Sequence, residues 1–508
     1  MKIMMHRKNN NSSHKRMLTL FGFFLGFVTL CNALSLHHSP PPRTYFATCI
    51  PGLENALAKE IERIGGHQIE IGKAGVKFTE ALSSSTTSFD EEDDFDPLTG
   101  TSKSMTVGLK SLLWTRTSHR IMELIATTEG YEDEFPVCNK EDLYSFIQQS
   151  CDIKSLLGDG KGGMLSLAVK VTIGSDAKLL PKELCHTHFT ALTVKNALVD
   201  KCRDMRADGA RPDVDVEHPH VPLVVALKGI NNGRAVTVSL YRSLNGFDSM
   251  HRRGYRTDSV IHKAAMKETM ACGLLYECGW HLLVDAAKKD GLPAVLVDPM
   301  MGSGTFCIEA ALLAADVAPG LMRMRNFKLL PAAVRWKSYD MEVWKHLCQE
   351  AQVREQRGRQ WLFGSNPNTG ERNCRIMGNE LNSNAYSLAL QNSQRANVQE
   401  AIEFRLGNCQ DWKIAHQIVE GRTIVVSNPP WGVRLTEDIE ESWAALKTFL
   451  RAECVGAEAW VLSGNKDVTR FLKMKKTRSV PLNTAAEKLR WLQYHVFKTA
   501  NRPETIEQ

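Results

Sequence analysis

Apolar and polar positions along the chain form two successive α/β patterns. In the first, a short strand starts at Tyr45, a Pro-Gly turn follows, and apolar residues at helical spacing predict an amphipathic helix that ends near Ile64. A returning strand is predicted at 75–78. Further predicted strands cover 166–172, 223–227 and 235–240, and further predicted helices cover 117–127, 141–151 and 187–203. The pattern therefore predicts an α+β region ahead of a second region of alternating strands and helices.

The second pattern starts with an apolar run that breaks into Asp298-Pro-Met-Met-Gly-Ser-Gly-Thr305 and then into a helix-forming stretch. Gly302 and Gly304 lack a Cβ where backbone must approach a ligand, and the start of the helix points free N–H groups at it. The Gly-Lys-Ser/Thr ending of a Walker loop is absent, and Cys307 stands where a dinucleotide fingerprint has its third glycine. The turn instead resembles the first motif of S-adenosylmethionine (SAM) methyltransferases, whose cofactor is a sulfonium cation without phosphate.

An acidic residue after the second strand of such a sheet is expected to bind the two ribose hydroxyls. Asp316 has the usual spacing of about twenty residues from Asp298, but it lies within the predicted helix. Glu380 follows a strand-like run and precedes another predicted helix, so it is the better candidate. This choice requires an insertion at about 323–374.

A β-branched run at 423–427 leads directly into Asn428-Pro-Pro-Trp431, a far more specific signal than a glycine turn. An exocyclic amino group is a weak nucleophile because its lone pair is delocalised into the ring. If the Asn428 side-chain oxygen and the Pro429 carbonyl accept the two amino hydrogens, they draw the nitrogen towards tetrahedral geometry. Pro429 and Pro430 fix the carbonyl direction, and Trp431 offers a ring face on which an extruded base gains about 1 to 3 kcal/mol by stacking. The alternative is a structural turn or a proline-rich ligand motif.

Two basic stretches are candidate contacts for RNA phosphates. The predicted helix at 187–203 carries Lys195, and a denser stretch supplies Arg252, Arg253 and Arg256. The second stretch could instead close over the cofactor. A solvated helix face and a charged domain linker are the structural alternatives for the two stretches.

Composition permits a nucleic-acid partner without requiring one. The net charge is only +6. The length of 508 residues and the hydrophobic content of 43% suffice for about three domains with real cores. The thirteen cysteines are scattered and form no Cys-x-x-Cys pair, which favours reduced thiols over disulfides or a zinc site. His186 and His188, two positions apart, would not share a helix face, so no metal site is predicted.

Two segments are predicted to lie outside the folded domains. Residues 17–36 are uncharged and follow five lysines and arginines, with Ala33 and Ser35 at a candidate signal-peptidase site. We predict a targeting segment over 1–43 and favour a plastid reached through the secretory route, because a nucleic-acid enzyme with free thiols does not suit secretion. A membrane anchor through 17–36 is the alternative. The acidic, serine-rich stretch 83–101 cannot bury a core and is predicted to be a disordered loop.

Taken together, these motifs resemble the THUMP-domain RNA methylases, and most closely the ribosomal large-subunit methyltransferase L family, which makes N2-methylguanosine in 23S rRNA. The resemblance runs from Tyr45 to Phe497. It implies an α/β fold in which a Rossmann-like SAM-dependent methyltransferase domain (250–500) follows an α+β region. That region consists of a ferredoxin-like segment (44–108) and a THUMP RNA-binding domain (109–245).

The resemblance also assigns roles to residues. Those implied to bind SAM are Asp298, Pro299, Gly302, Gly304, Thr305, Glu380 and Asn408. Those implied to position the guanine amino group are Asn428, Pro429, Pro430 and Trp431. Two positions depart from the family: Met301 stands where Cys is frequent, and Asn408 replaces the usual Asp, which leaves Asp411 as the alternative contact for the adenine amino group. The fused bacterial form has a second methyltransferase domain, and this chain ends at Gln508, so one product is expected.

Three rival functions stay open at this point. The same fold and tetrapeptide would serve guanine N2 in tRNA, or adenine N6 in DNA or RNA, and a non-catalytic ribosome-assembly factor could keep the fold as an RNA clamp. The expected partner is RNA, either large-subunit rRNA or a pre-ribosomal particle. Membrane contact is expected only through the N-terminal segment.

Overall fold

The computed structural model describes residues 42–81, 95–96, 101–102, 106–174, 179–256, 266–432, 439–484 and 487–497. Nearly all of the predicted targeting segment, and most of the predicted loop at 83–101, lie outside these residues. Within that loop the structure describes one pair of two-residue strands, Phe95–Asp96 with Thr101–Ser102, where disorder is predicted.

Two seven-stranded sheets organise the chain, and helices pack against both. The strands are β1 (Thr44–Thr48), β2 (His67–Gly72), β3 (Gly75–Thr79), β4 (Phe95–Asp96), β5 (Thr101–Ser102), β6 (Arg120–Thr127), β7 (Leu167–Ile173), β8 (Val221–Ile230), β9 (Ala235–Ser243), β10 (Ala294–Asp298), β11 (Cys374–Glu380), β12 (Ile402–Leu406), β13 (Thr423–Ser427), β14 (Glu458–Ser463), β15 (Lys476–Asn483) and β16 (Lys488–His495). The helices are α1 (Glu54–Arg63), α2 (Val107–Trp114), α3 (Lys140–Ser150), α4 (Ile153–Leu157), α5 (Thr187–Met205), α6 (Glu268–Glu277), α7 (Trp280–Asp290), α8 (Thr305–Ala314), α9 (Pro319–Phe327), α10 (Met341–Phe363), α11 (Ser383–Arg395) and α12 (Ile439–Glu453).

The N-terminal sheet has the strand order β2-β3-β1-β6-β9-β8-β7. Both predicted segments, 44–108 and 109–245, contribute strands to it, because β1 pairs with β3 on one side and with β6 on the other. Its strands run antiparallel except that β7 and β8 are parallel, joined through α5. The ferredoxin-like segment and the segment that follows it thus share one continuous sheet.

The predicted helix at 117–127 is wrong. Residues Arg120–Thr127 form β6, which pairs with β1 and β9. Hydrogen bonds from two neighbouring strands override a local pattern that also fits a helix. The other predicted strands and helices of this region are confirmed, with ends that differ by at most three residues.

The C-terminal sheet has the order β12-β11-β10-β13-β14-β16-β15. Its first five strands are parallel, and β16 enters antiparallel to β14. The strand order reverses at β10, whose neighbours are β11 and β13, so this is the switch point where α/β folds bind ligands. The predicted Rossmann-like architecture is confirmed, and β11, which ends at Glu380, pairs with β10.

Helices α8 and α9 follow β10. Every residue of α8 is buried, because the helix packs against the sheet and against α6.

In the described part of the chain no single helix is long and apolar enough to cross a bilayer. Helices α8 and α9 together have the length and apolar composition of a span, but they are bent by 112° with respect to each other.

The predicted insertion at 323–374 ties the two halves together. Its helix α10 buries Trp344 in the core of the N-terminal sheet. Just before α10, Trp336 Nε1 donates to the carbonyl of His220 at 2.8 Å, and the Tyr339 hydroxyl donates to Glu123 at 2.9 Å. The segment therefore packs on the N-terminal half although in sequence it lies between β10 and β11 of the C-terminal sheet.

Candidate functional site at the carboxyl edge of the parallel sheet

The glycine turn lies at the end of the central strand β10. Asp298 is buried and accepts the N–H of Met300 at 3.1 Å. Gly302 and Gly304 have φ of +58° and +80°, which L-residues with side chains rarely adopt. No atom lies within 4 Å of the position that a Cβ on Gly302 would take, so this side of the turn is open. Thr305 then begins α8.

Glu380 closes the turn from the neighbouring strand. Its two carboxylate oxygens accept the N–H groups of Gly302 and Asn382, each at 2.8 Å. Among the described residues neither Glu380 nor Asp298 has a basic ion-pair partner. Burial, together with the nearby charge of Glu380, raises the pKa of Asp298 well above its usual range. A cationic ligand at this open turn would offset the burial of Asp298 and its repulsion by Glu380, whereas a phosphate would add to that repulsion.

Asn379, on β11, joins the loops that follow β10 and β12, and the sequence analysis did not identify it. Its amide nitrogen donates to the carbonyls of Pro299 at 3.1 Å and Gly407 at 2.9 Å, and its oxygen accepts from Arg405 at 2.6 Å. The same Arg405 nitrogen donates to the carbonyl of Asn408 at 2.9 Å. Only the neighbouring Glu380 could have drawn attention to Asn379, because its partners come from distant parts of the chain.

The predicted adenine contact, Asn408, lies after β12 and is half-buried. Its side-chain oxygen accepts the N–H of Gln410 at 3.1 Å and so caps the short turn that follows. Asp411 is exposed. The rejected candidate Asp316 lies beyond the end of α8 and pairs with Arg354 at 2.9 Å. Its carboxylate is thus taken up in a salt bridge with α10.

The tetrapeptide follows β13, next to β10. Trp431 Nε1 donates to Asn428 Oδ1 at 3.3 Å, and Trp443 Nε1 donates to the carbonyl of Pro430 at 2.7 Å. Pro429 is buried, and Trp431 is only 9% exposed. Two indole N–H groups therefore fix the loop, and Asn428 Oδ1 keeps a second lone pair for a substrate.

Gly464, after β14, covers one face of the Trp431 ring. A Cβ on Gly464 would lie 2.7 Å from Cζ3 and 2.8 Å from Cε3 of that ring, too close for two carbon atoms. Only a glycine lets the indole keep this position. The sequence offered no signal for this contact, because the two residues are far apart in the chain.

For the methyltransferase activity that the sequence motifs predict, replacing Gly464 with Ala is expected to lower kcat about 10- to 100-fold, since the added methyl must displace Trp431. The measurement is steady-state transfer of label from SAM to RNA, beside the melting temperature. Gly174→Ala is the matched control, because its Cβ would have 4.0 Å of clearance. An unchanged kcat in Gly464→Ala would mean that the position of the indole does not matter.

The basic stretch at 251–256 requires one correction. Arg253 was predicted to bind RNA, yet it is 1% exposed and donates to the carbonyls of Met250 and Arg116, each at 2.6 Å. Arg256 donates to the hydroxyl of Thr305, at the start of α8, and to the carbonyl of Met266 at 2.8 Å. Through Arg256 the stretch thus binds the end of the glycine turn, at the first residue of α8.

The two other predicted RNA contacts remain available. Arg252 is exposed at the start of this stretch, and Lys195 is half-buried on α5 in the N-terminal half. Within the described residues no group of three or more His, Cys, Asp or Glu side chains could hold a metal ion.

Fold and site together define the class of this chain: a Rossmann-like α/β domain of the methyltransferase type, joined to an N-terminal α+β half. Residues 253–493 match the family model described as "RMKL-like, methyltransferase domain", and residues 44–84 match the RlmL ferredoxin-like domain. The chain therefore carries an RMKL-like methyltransferase domain and an RlmL-type ferredoxin-like domain. The predicted family resemblance is confirmed.

Individual relatives agree with the family models. The chain is 30% identical over 457 residues to the ribosomal RNA large subunit methyltransferase K/L of Syntrophotalea carbinolica, a match that covers 90% of this chain and 54% of the relative. The chain thus spans about half the length of the curated relatives it matches.

Two solved structures show the same fold. A possible methylase from Clostridium difficile 630 superposes with a TM-score of 0.65 at 21% identity, covering 90% of this chain and 99% of that one. The structure of SMU.472, "a putative methyltransferase complexed with SAH", gives a TM-score of 0.62 at 19% identity. The match covers 91% of this chain and 100% of that one.

Proposed function

We propose that this protein is a SAM-dependent RNA methyltransferase that transfers a methyl group to the N2 amino group of a guanine in large-subunit rRNA. One observation carries the proposal. The carboxyl groups of Asp298 and Glu380, without basic partners among the described residues, lie at the glycine turn, while Asn428-Pro-Pro-Trp431 ends the strand beside it. A cation site and an amino-group site therefore adjoin at one edge of the sheet.

The residues at the turn suit SAM. Its sulfonium and its α-amino group are cationic, and a cation here would offset the cost of ionising the buried carboxyl group of Asp298 beside Glu380. The lone pairs of Glu380 that remain beside its two backbone contacts are available to ribose hydroxyls. The open side of Gly302 leaves room for a ligand against the backbone. When bound, SAM supplies an electrophilic methyl group and leaves as a neutral thioether.

The tetrapeptide prepares the nucleophile. Asn428 Oδ1 and the Pro429 carbonyl accept the two hydrogens of the guanine amino group, which releases its lone pair from the ring for attack. Trp431 Nε1 holds Asn428 in place through its hydrogen bond of 3.3 Å. After the new N–C bond has formed, the nitrogen loses one proton to water, so no strong base is needed.

Replacing Glu380 with Gln is expected to weaken SAM binding about 10- to 100-fold, because a charged acceptor and its attraction for a cation are both lost. Isothermal titration calorimetry measures the change directly. Glu403→Gln, an exposed carboxylate on the neighbouring strand β12, is the control and should bind SAM as the wild type does. Equal affinity in Glu380→Gln would remove this residue from the cofactor site.

The deciding experiment is tritium transfer from labelled SAM by the chain from Pro40 onward, offered unmodified large-subunit rRNA and unmodified tRNA in parallel. Nucleoside analysis of the product identifies the methylated atom. N2-methylguanosine in rRNA is the expected result. Label in tRNA or on adenine would contradict the proposed substrate, and no label in any RNA would contradict an enzymatic role.

For the N-terminal segment we propose plastid targeting. The basic residues before 17–36, the apolar stretch itself and the small residues Ala33 and Ser35 support a cleavable presequence. Residues 1–60 fused to a fluorescent protein should be imported into plastids that are reached through the secretory route, and processed there. Retention in a membrane without processing would favour an anchor instead.

A further inference from the structure

An excess of positive charge lies where the two halves of the protein meet. Arg120 on β6, Lys170 on β7 and Arg323 on α9 have one acidic neighbour in common, Asp248. Arg120 donates to the carbonyl of Phe247 at 2.8 Å, and the Lys170 ammonium lies 3.9 Å from the centre of the Phe247 ring. We call these three cations and Asp248 the junction cluster. Its net charge is about +2, because one carboxylate faces three cations.

Arg323 is the least compensated member of the cluster. Within the described residues it has no ion pair, and its Nε is buried without a hydrogen-bond partner. Burial and the neighbouring charge of Arg253 lower the pKa of Arg323 to about 10. Arg325, two positions along the same helix, differs sharply, because it pairs with Glu355 at 2.7 Å. A partly buried guanidinium without a partner is costly unless a ligand supplies the anion.

The positive region continues towards the cofactor turn. Burial and the nearby cation Lys267 lower the pKa of His119 and of His251 to about 4, so both histidines are neutral at physiological pH. Arg252, next to His251, and Lys267 are both exposed. Arg256, at the end of the same stretch, is neutralised by Glu268 at 3.7 Å and contacts Thr305. Arg252 and Lys267 therefore continue the positive region from the N-terminal sheet towards the glycine turn.

We propose that Arg120, Lys170 and Arg323 bind consecutive phosphodiester groups of the substrate RNA and lead the strand from the N-terminal half to the catalytic edge. This inference rests on the proposed function for the identity of the polyanion. Cations on three separate elements of both halves suit a linear polyanion better than one small ion. The cofactor site has the opposite charge, so the junction cluster does not serve SAM.

The test measures RNA affinity without methyl transfer. A fluorescein-labelled single-stranded RNA 20-mer is titrated with the full chain by fluorescence anisotropy, at salt concentrations from about 50 to 200 mM. Lys170→Gln and Arg323→Gln should each weaken binding roughly three- to tenfold and reduce the slope of log K against log salt by about 0.7. Arg325→Gln is the matched control on the same helix and should change the affinity less than about twofold.

Each outcome has a distinct meaning. Unchanged affinity and slope in Lys170→Gln, whose side chain is exposed, would overturn the proposal even if Arg323→Gln unfolds. The proposal would also be overturned if millimolar inorganic phosphate competed with the RNA while the variants kept the wild-type slope of log K against log salt. The cluster would then be a small-anion site. If the variants lose RNA binding as expected but wild-type protein transfers no methyl to RNA, the proposed function fails and the junction cluster stands.

Discussion

Replacing Asn428 with Ala is expected to reduce kcat for methyl transfer about 10²- to 10³-fold, while SAM affinity and the melting temperature stay close to wild type. The side-chain oxygen of Asn428 is one of two acceptors proposed for the amino hydrogens, and a preorganised polar group at a reacting centre is typically worth that factor. Asn428 is only half-buried and lies just beyond the end of the buried strand β13, so its truncation is expected to leave the core of the sheet intact. Single-turnover kinetics with labelled SAM, beside calorimetric titration of SAM, separates the two effects.

Trp431→Phe tests the same loop more gently. Phenylalanine keeps an aromatic ring but removes the N–H that donates to Asn428 at 3.3 Å. We expect a smaller loss of kcat, about tenfold, than in Asn428→Ala, because Asn428 is then less well held. Full activity in Asn428→Ala would exclude this residue from the chemistry, whatever the result for Trp431→Phe.

Replacing Arg253 with Met is expected to destabilise the protein by about 3 to 5 kcal/mol, the usual cost of leaving a buried charge unpaired. Arg253 and Glu309 are each 1% exposed in their side chains and lie 3.8 Å apart. Glu309 also accepts from the Tyr255 hydroxyl at 3.0 Å and the Cys272 thiol at 2.9 Å. Without the guanidinium, this carboxylate would be buried on α8, directly behind the glycine turn, with only neutral donors.

Chemical denaturation of Arg253→Met against wild type measures the loss. The double variant Arg253→Met/Glu309→Gln should recover part of it, since the remaining group is then neutral. If the double variant is no more stable than the single one, the loss comes from the two carbonyls that Arg253 binds, not from the buried charge.

The structure also gives the predicted insertion a role. Helix α10 and the residues before it bind the N-terminal half, and Gly320 at the start of α9 packs against the backbone of Leu112. Gly52 makes a matching close contact from the N-terminal half to the carbonyl of Pro481 on β15. The two halves are therefore in contact at several places. RNA bound to the N-terminal half would lie at a fixed distance from the carboxyl edge of the parallel sheet.

Much of the candidate site could be predicted because its signals are local. The turn from Asp298 to Thr305 and the tetrapeptide after β13 are short stretches whose residue types fix both backbone and chemistry. Glu380 could be chosen over Asp316 because strand and helix patterns flank it, and the structure places its carboxylate 2.8 Å from the N–H of Gly302. In each case neighbouring residues supply the physical reason, so a single sequence suffices.

The sequence by itself therefore determined the α/β class, the order of the elements, the glycine turn and the tetrapeptide. Tertiary structure decided the rest. The local sequence predicts an exposed cation at Arg253, but the distant Glu309 and the distant carbonyl of Arg116 surround it. The local sequence likewise predicts a helix over residues 120–127, but hydrogen bonds from two other strands make them a strand. The contact of Gly464 with Trp431 likewise joins distant positions. Burial and pairing depend on residues far apart in the chain, and local patterns carry no information about them.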